Sequence, residues 1–339
     1  MKRFILSQVL ITNFYKILLK LMRCYFCVAE PSNSVPSLVY QNMLEVALKS
    51  ARENTNLDLY ALYDGSKNGP FAQIMKKYDV SIIEHRFSQY ESLKNTFPYS
   101  YLLERFKKKV DYKAIAGTFL RLDLPFIETK EEVILYCDMD VMFTGEIKIG
   151  KKPKLIAAAP EFSKDITSMN YFNAGVLLMN LAQMREKCCT ILDDIKKNKR
   201  NKIGVFDQGY LNQYCFNESE LLPLEYNWKP YWGYSESARI IHFHGIKPSG
   251  TIENSGFDTP PQIYTQIFRD DVSTISGYIY YLLTFYGYLG KCDTKWIMNQ
   301  VSQILNSLSL QEALSPNNLS INIVKQYIFL RIRQKLHLI

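Results

Sequence analysis

The chain has 339 residues, of which 47% are hydrophobic and 22% charged, with 24 Tyr and 19 Phe. That composition excludes a disordered protein, and the length suits one large α/β domain with an appendage or two domains. The net charge of +8 suits an anionic ligand or an acidic membrane surface, but the basic residues are scattered, so no stripe for reading nucleic acid is expected.

The N-terminus, "MKRFILSQVLITNFYKILLKLM", is uncharged from Phe4 to Tyr15 and bounded by basic residues. This is too short to span a membrane, and no small-residue cleavage site follows. Residues 1–21 are expected to be an extension, either a basic amphipathic helix on a membrane surface or a leader, with Met22 a second candidate start. From Arg23 strands and helices alternate: strand "CYFCVAE", helix "LVYQNMLEVALKSAREN", strand "LDLYALYDG", helix "FAQIMKKY", strand "VSIIEHRF". Such alternation predicts right-handed β-α-β units and a parallel sheet. The seven cysteines form no disulfide framework, which points to a reducing cytoplasm, and Cys24 and Cys27 read as packing residues of the first strand.

A polar, aromatic-rich helical stretch is expected from Tyr90 to Tyr112, then a helix in "AIAGTFLRLDLPFI" ending near Pro125. The run "VILYC" that follows is β-branched and aromatic without polar alternation, as in a strand covered on both faces. It leads into Asp138-Met139-Asp140. Alternation along a strand would project both carboxylates to one side and turn Met139 toward packing. Two converging anions repel unless a proton or cation is shared, and the carboxyl end of a parallel strand is where open α/β sheets bind ligands. A divalent metal is one solution; a turn cap beside a solvated aspartate is the other.

The strand "PKLIAAAP", the segments "YFNAGVLLMNL" and "FDQGYLN", and a late strand "RIIHFHG" complete this part. Beyond Gly256 the pattern turns helical. The helix "GYIYYLLTFYGYLG" is expected to pack on the α/β domain. In residues 322–339 Lys325, Arg331, Arg333 and Lys335 lie among apolar residues with no acidic one, which suits an anionic bilayer surface.

Taken in order and spacing, "FLRLDLP", "VILYCDMDVMF", "YFNAGVLLMNL", "FDQGYLN" and "IIHFHGIKP" resemble the eighth family of retaining glycosyltransferases, which contains glycogenin and the lipopolysaccharide galactosyl- and glucosyltransferases. The resemblance implies a GT-A fold, a mostly parallel nucleotide-sugar-binding sheet flanked by helices, over residues 22–255, with 256–339 as a helical C-terminal region. It implies a metal held by Asp138, Asp140 and His242, although His244 shares the strand spacing of His242. Mn²⁺ is the expected cofactor, since oxygen ligands with one imidazole suit it better than Mg²⁺, the alternative.

By the same resemblance the donor is met by Arg121, Asp138, Met139, Asn173, Ala174, Gly175, Gly245 and Lys247. Gln208 lies near the anomeric carbon and Asp207 holds sugar hydroxyls. Glutamine is a poor nucleophile, which favours same-face substitution over double displacement. The implied partners are a UDP-sugar donor and a glycan or glycolipid acceptor, as in cell-surface polysaccharide or lipopolysaccharide synthesis. The cysteines and the basic-apolar tail, rather than the resemblance, lead us to expect the enzyme in the cytoplasm and peripheral at the inner membrane face. Three positions depart from the pattern. Ser249 stands where many relatives have Trp, the first strand ends without the uracil-edge aspartate of many relatives, so that either Glu30 substitutes or backbone holds the base, and Pro160-Glu161 stand where many relatives have an aspartate near the sugar. Other classes remain: a catalytically silent nucleotide-sugar-binding protein, and a nucleotidyltransferase, which "VAEPSNSVP" disfavours because it has no glycine-rich phosphate loop.

Overall fold

Strand β1 (Arg23–Ala29) is buried from Cys24 onward because apolar side chains face both ways. Tyr25 and Cys27 join one core cluster, while Cys24, Phe26 and Val28 join the other. Cys24 and Cys27 thus point to opposite faces, as packing residues do. The computed structural model describes residues 21–31, 37–106, 111–245, 247–248 and 272–290.

Helix α1 (Ser37–Asn54) returns the chain to β2 (Asp58–Asp64), and α2 (Pro70–Lys77) returns it to β3 (Ser81–Glu84). The three strands are parallel, with Tyr25 opposite Tyr60 and Ala61 opposite Ile82. Pro70 opens α2 where its missing N–H costs nothing, and Phe71, Ala72 and Met75 face the core. The chain then builds α3 (Tyr90–Thr96), α4 (Tyr99–Phe106) and α5 (Tyr112–Phe119) before reaching β4 (Val133–Cys137). Pro125 does not end the helix before it. A 3₁₀ turn, Leu120–Leu122, intervenes, and Pro125 lies in the first turn of a new short helix, α6 (Leu124–Ile127), the position where proline's fixed φ favours a helix start.

Strand β4 adds beside β1, and with β6 (Ile156–Pro160), β7 (Phe172–Asn180) and β8 (Ser219–Leu221) the seven-stranded sheet has the order β3-β2-β1-β4-β7-β6-β8. Strands β2 and β3 extend one way from β1 and β4 the other, which opens a crevice at the carboxyl ends of β1 and β4. The sheet is mostly parallel but not wholly so. β7 runs antiparallel to both β4 and β6, and β8 is parallel to β6. All nine residues of β7 are buried, and a continuous apolar run carries no signal of direction. Helices α7 (Leu181–Lys196) and α8 (Phe206–Cys215) follow.

A second, two-stranded sheet pairs β5 (Val141–Phe143) with β9 (Ile240–His242), placing Val141 opposite His242. The last described helix, α9 (Val272–Tyr288), buries Tyr278, Tyr281, Leu282, Phe285 and Tyr286 against Met43, Val46, Met142, Trp232 and Phe243. It packs on the α/β core as its apolar sequence requires. Gly277 lets α9 approach the backbone of Gly233, where a Cβ would lie 2.3 Å from a carbonyl carbon. None of the helices among the described residues is long and apolar enough to cross a membrane. Residues 1–20 of the expected N-terminal extension and the basic-apolar stretch 322–339 lie outside the described residues.

Candidate active site

β4 ends at Cys137, so Asp138 to Asp140 form the turn into β5 rather than a continuation of the strand. Their convergence comes from that turn, not from strand alternation. The Asp138 N–H donates to Gly175 O at 2.7 Å, and the Phe243 N–H to Asp140 O at 2.9 Å, so β7 and β9 both grip the turn. One ligand atom from each of Asp138, Asp140 and His242 lies within 4.8 Å of the others. His244, two residues on, turns instead to Glu161 at 3.1 Å and Tyr231 at 2.9 Å. The two histidines that spacing could not separate therefore have different surroundings.

The charges in this cluster are unequal. Asp138 Oδ1 accepts from Arg121 Nη2 at 2.9 Å and from Tyr136 OH at 2.5 Å. Burial pushes the Asp138 carboxyl up to about 6 against the pull of Arg121, and Asp140 adds to the rise. Asp140 is also buried, but Lys247 on its Oδ2 and the nearby His242 outweigh burial and hold it well below the usual carboxylate range. Asp140 Oδ1, buried, has no hydrogen-bond donor among the described residues and lies 3.4 Å from His242 Nε2. An unpaired buried carboxylate oxygen facing an imidazole and a second carboxylate fits a divalent cation. Burial, only partly opposed by Asp140, draws His242 down to about 4, so the ring is neutral, the form that ligates metals.

Gly175 explains itself here: a Cβ on it would lie 2.2 Å from His242 Cε1 and 2.8 Å from Nε2. The imidazole lies directly against its α-carbon. Asn173, Ala174 and Gly175 belong to β7 itself, not to a loop before it. Pairing with β6 jumps from Ala158↔Leu177 to Ala159↔Asn173, and this irregularity frees backbone groups for the site, as bulges do beside active sites. Ala174 O accepts from Arg121 Nη1, and the Ala174 N–H donates to Gln208 Oε1 at 2.8 Å.

Arg121 is 4% exposed. Its guanidinium gives Nε–H to Thr118 O at 3.0 Å, lies 2.9 Å from Asp207 Oδ2, and stacks 4.5 Å from the Tyr136 ring. The Asp207 contact is ionic without hydrogen-bond alignment, since that oxygen accepts from no donor among the described residues. Arg121 thus ties Asp138 to Asp207 from inside the protein. Its 3₁₀ turn is pinned by Asp123, which accepts from the Ser88 N–H at 2.8 Å and Ser88 Oγ at 2.7 Å and pairs with His85 at 2.7 Å. Burial raises the Asp207 carboxyl, with Arg121 opposing. Phe206, just before it, has φ +49°, a costly left-handed conformation held by ring contacts with Phe97 and Phe119. Gly245, at φ +80°, carries the chain round toward Lys247 with no Cβ penalty. Met139 is partly buried and packs on the core face that contains Val141 and Phe143.

Three residues that sequence reasoning left out, Asn227, Tyr231 and Lys229, complete the site together with Glu161. Asn227, fully buried, lies between His242 Nδ1 and Asn173 Oδ1, both at 3.0 Å. Glu161 accepts from Asn173 Nδ2 at 2.8 Å. Despite burial, His244, Asn173 and Gln208 hold its carboxyl down at about 2. Tyr231 contacts His244. Lys229, also fully buried, donates to Pro160 O at 2.9 Å and lies over Trp232, and burial drops its ammonium to about 7 although Glu161 opposes. The departure at Pro160-Glu161 was the signal for Glu161; the stretch "YNWKPYW" offered none for the others. Glu30 turns away from the crevice to accept from the Ser66 N–H at 2.7 Å and Tyr63 OH at 3.1 Å, so it caps the turn after β2.

Among solved structures, the galactosyltransferase LgtC, determined with donor and acceptor sugar analogues, shares 16% identity over 82% of this chain and 100% of its own, at a TM-score of 0.50. GlyE of Streptococcus pneumoniae TIGR4 shares 19% identity over 83% of this chain and 64% of its own, at 0.47. Mouse xyloside xylosyltransferase 1 shares 14% over 65% and 97%, at 0.44. At these identities the likeness to LgtC speaks for the GT-A fold alone. No curated protein sequence matches the chain. The family model for glycosyl transferase family 8 matches residues 37–248, a span holding every site residue named above from Arg121 to Lys247, and the chain therefore belongs to that family of glycosyltransferases.

Proposed function

We propose that this glycosyltransferase is metal-dependent and retaining, moving a hexose from a UDP-sugar to a glycan or glycolipid acceptor. The observation that carries the reading is the unpaired Asp140 Oδ1 facing His242 Nε2 and Asp138. Asp138, Asp140 and His242 would hold the ion, with Mn²⁺ favoured by the mixed oxygen and nitrogen set. When bound, it supplies Lewis-acid stabilisation of the negative charge on the departing diphosphate.

The chain's own groups do the rest. Lys247 is an ammonium, raised by Asp140 and its neighbours despite burial, on the loop after β9, and offers a point charge to donor phosphate. Arg121 keeps Asp138 and Asp207 in place. Gln208, with its carbonyl fixed by the Ala174 N–H, keeps its amide orientation without reorganisation, which suits a group that stabilises charge near the anomeric carbon. An amide that is not a nucleophile fits same-face departure and attack. Glu161 and His244, beside Asn173, are acceptor and donor groups for sugar hydroxyls. The basic-apolar stretch 322–339 is our candidate for contact with the anionic inner face of the cell membrane, on sequence pattern alone.

The deciding experiment incubates the protein with Mn²⁺ and a panel of nucleotide sugars and measures nucleoside diphosphate release. Release from one UDP-hexose, abolished by EDTA and restored by Mn²⁺, is expected. Full turnover in EDTA would refute metal dependence, and silence with every donor would favour a binding role.

A further inference from the structure

A neutral imidazole can carry its proton on either ring nitrogen, and only a lone pair on Nε2 can face a cation between Asp138 and Asp140. The surrounding hydrogen bonds decide which nitrogen is protonated. Two ends of a buried chain of amides are fixed by groups whose roles are unambiguous. At one end Glu161 is a carboxylate, an acceptor only, so the Asn173 atom 2.8 Å from its Oε2 is the NH₂. At the other, the backbone N–H of Gly175 donates over 3.1 Å to the second Asn173 atom, which must be the carbonyl oxygen. Both constraints orient Asn173 the same way.

The orientation propagates. Asn227 meets Asn173 Oδ1 at 3.0 Å and therefore presents its NH₂ there, which leaves Asn227 Oδ1 toward the ring. That oxygen is 3.0 Å from His242 Nδ1 and can only accept, so Nδ1 carries the proton. The backbone that carries Asn227 is held in place as well. Asn227 is fully buried, and Trp228, next in sequence, bridges to Ile241, with the Trp228 N–H donating to Ile240 O at 2.9 Å and the His242 N–H to Trp228 O at 2.8 Å.

We infer that Glu161, Asn173 and Asn227 form a polarity ladder that locks His242 in the Nδ1–H form and aims its Nε2 lone pair between the two aspartates, making Asn227 a positioning residue of the metal site. The inference rests on the metal reading of Asp138, Asp140 and His242, but its first prediction concerns the metal-free protein. Partners that orient metal-bound histidines typically change affinity by about 10–100-fold when removed.

The test uses the full chain with ¹⁵N-labelled histidine; with 4 His in the sequence each ring can be assigned. Metal-free wild type should show a protonated Nδ1 and a pyridine-type Nε2 at His242. Asn227→Leu should mix the tautomers and weaken Mn²⁺ binding, measured by calorimetry, by about 10–100-fold. Asn227→Asp keeps an acceptor at Nδ1, so it should retain the tautomer and bind Mn²⁺ no more weakly, although it breaks the contact with Asn173. That contrast separates ladder polarity from packing. A wild-type spectrum with Nε2–H would overturn the inference, and it stands as a test even if Asn227→Leu fails to fold. So would Asn227→Leu with an unchanged tautomer and affinity within about twofold of wild type, or Asn227→Asp as damaging as Asn227→Leu. Wild type that shows the Nδ1–H form yet binds no Mn²⁺ would support the ladder and refute the metal reading.

Discussion

Replacing Gly175 by Ala tests the site with one methyl group. The new Cβ would lie 2.2 Å from His242 Cε1, whereas ordinary carbon contacts begin near 3.4 Å, so the ring must retreat by about 1.2 Å. It has little room: His242 is 2% exposed, its Nδ1 is held by Asn227, and its backbone is paired with Val141. Overpacking of this kind costs about 1–3 kcal/mol, and in a domain of this size each kcal/mol lowers Tm by about 2–4 °C. The effect on metal is larger in kind, because ligand distances tolerate only about 0.2 Å. Losing one oriented ligand should weaken Mn²⁺ binding by at least about 10–100-fold, or about 1.4–2.8 kcal/mol. Calorimetric titration with Mn²⁺ and thermal unfolding with and without the ion measure both terms. Gly150→Ala, where a Cβ meets nothing within 4 Å, is the control and should change neither. Gly175→Ala with wild-type Mn²⁺ affinity would refute the placement of His242 as a ligand.

Arg121→Met should destabilise the fold by about 3–5 kcal/mol in urea unfolding, since it leaves Asp138 and Asp207 facing each other across a buried gap; an unchanged midpoint would show that the two carboxylates do not depend on it. Gln208→Ala should lower kcat by about 10²–10³ with little change in KM, the signature of an interaction made in the transition state; a raised KM at constant kcat would reassign Gln208 to donor binding. The Glu161 carboxyl sits at about 2 in the fold and 4.5 in its ordinary state, so the unfolded chain takes up its proton first as pH falls. Its stabilisation is present above pH 4.5 and is lost as pH drops toward 2, by about 3 kcal/mol at most. Glu161→Gln should flatten that part of the stability profile, and identical profiles would remove Glu161 from the buried charge balance.

The paired aspartates and the alternation of strands with helices were legible because each rests on a local pattern, an apolar run ending in two carboxylates or a repeat of element types, whereas spacing left His242 level with His244 until the family resemblance chose between them. What was illegible depends on tertiary direction. Nothing in "FNAGVLLMN" says that β7 runs against its neighbours, because a strand buried on both faces reads the same either way. Asn173 was assigned to the donor, yet every polar atom of its side chain is engaged within the protein. Arg121 reads as a donor-facing cation from its motif, while its buried guanidinium spends its hydrogen bonds on Thr118, Ala174 and Asp138. Asn227 and Lys229 had no pattern at all. A polar residue in an irregular stretch reveals its purpose only when its partners, 54 and 69 positions away, are brought alongside.

The pairing of β5 with β9 has a consequence for how such an enzyme changes over time. Because Val141 sits opposite His242, the distance between Asp140 and His242 is set by a rung of backbone and not by the long excursion of chain between them. That excursion holds the exposed Phe162 and Ile166 and, before α8, Ile203. Substitutions at these exposed positions leave the rung in place, so that surface can drift through many sequences while the backbone pairing beneath it is inherited intact.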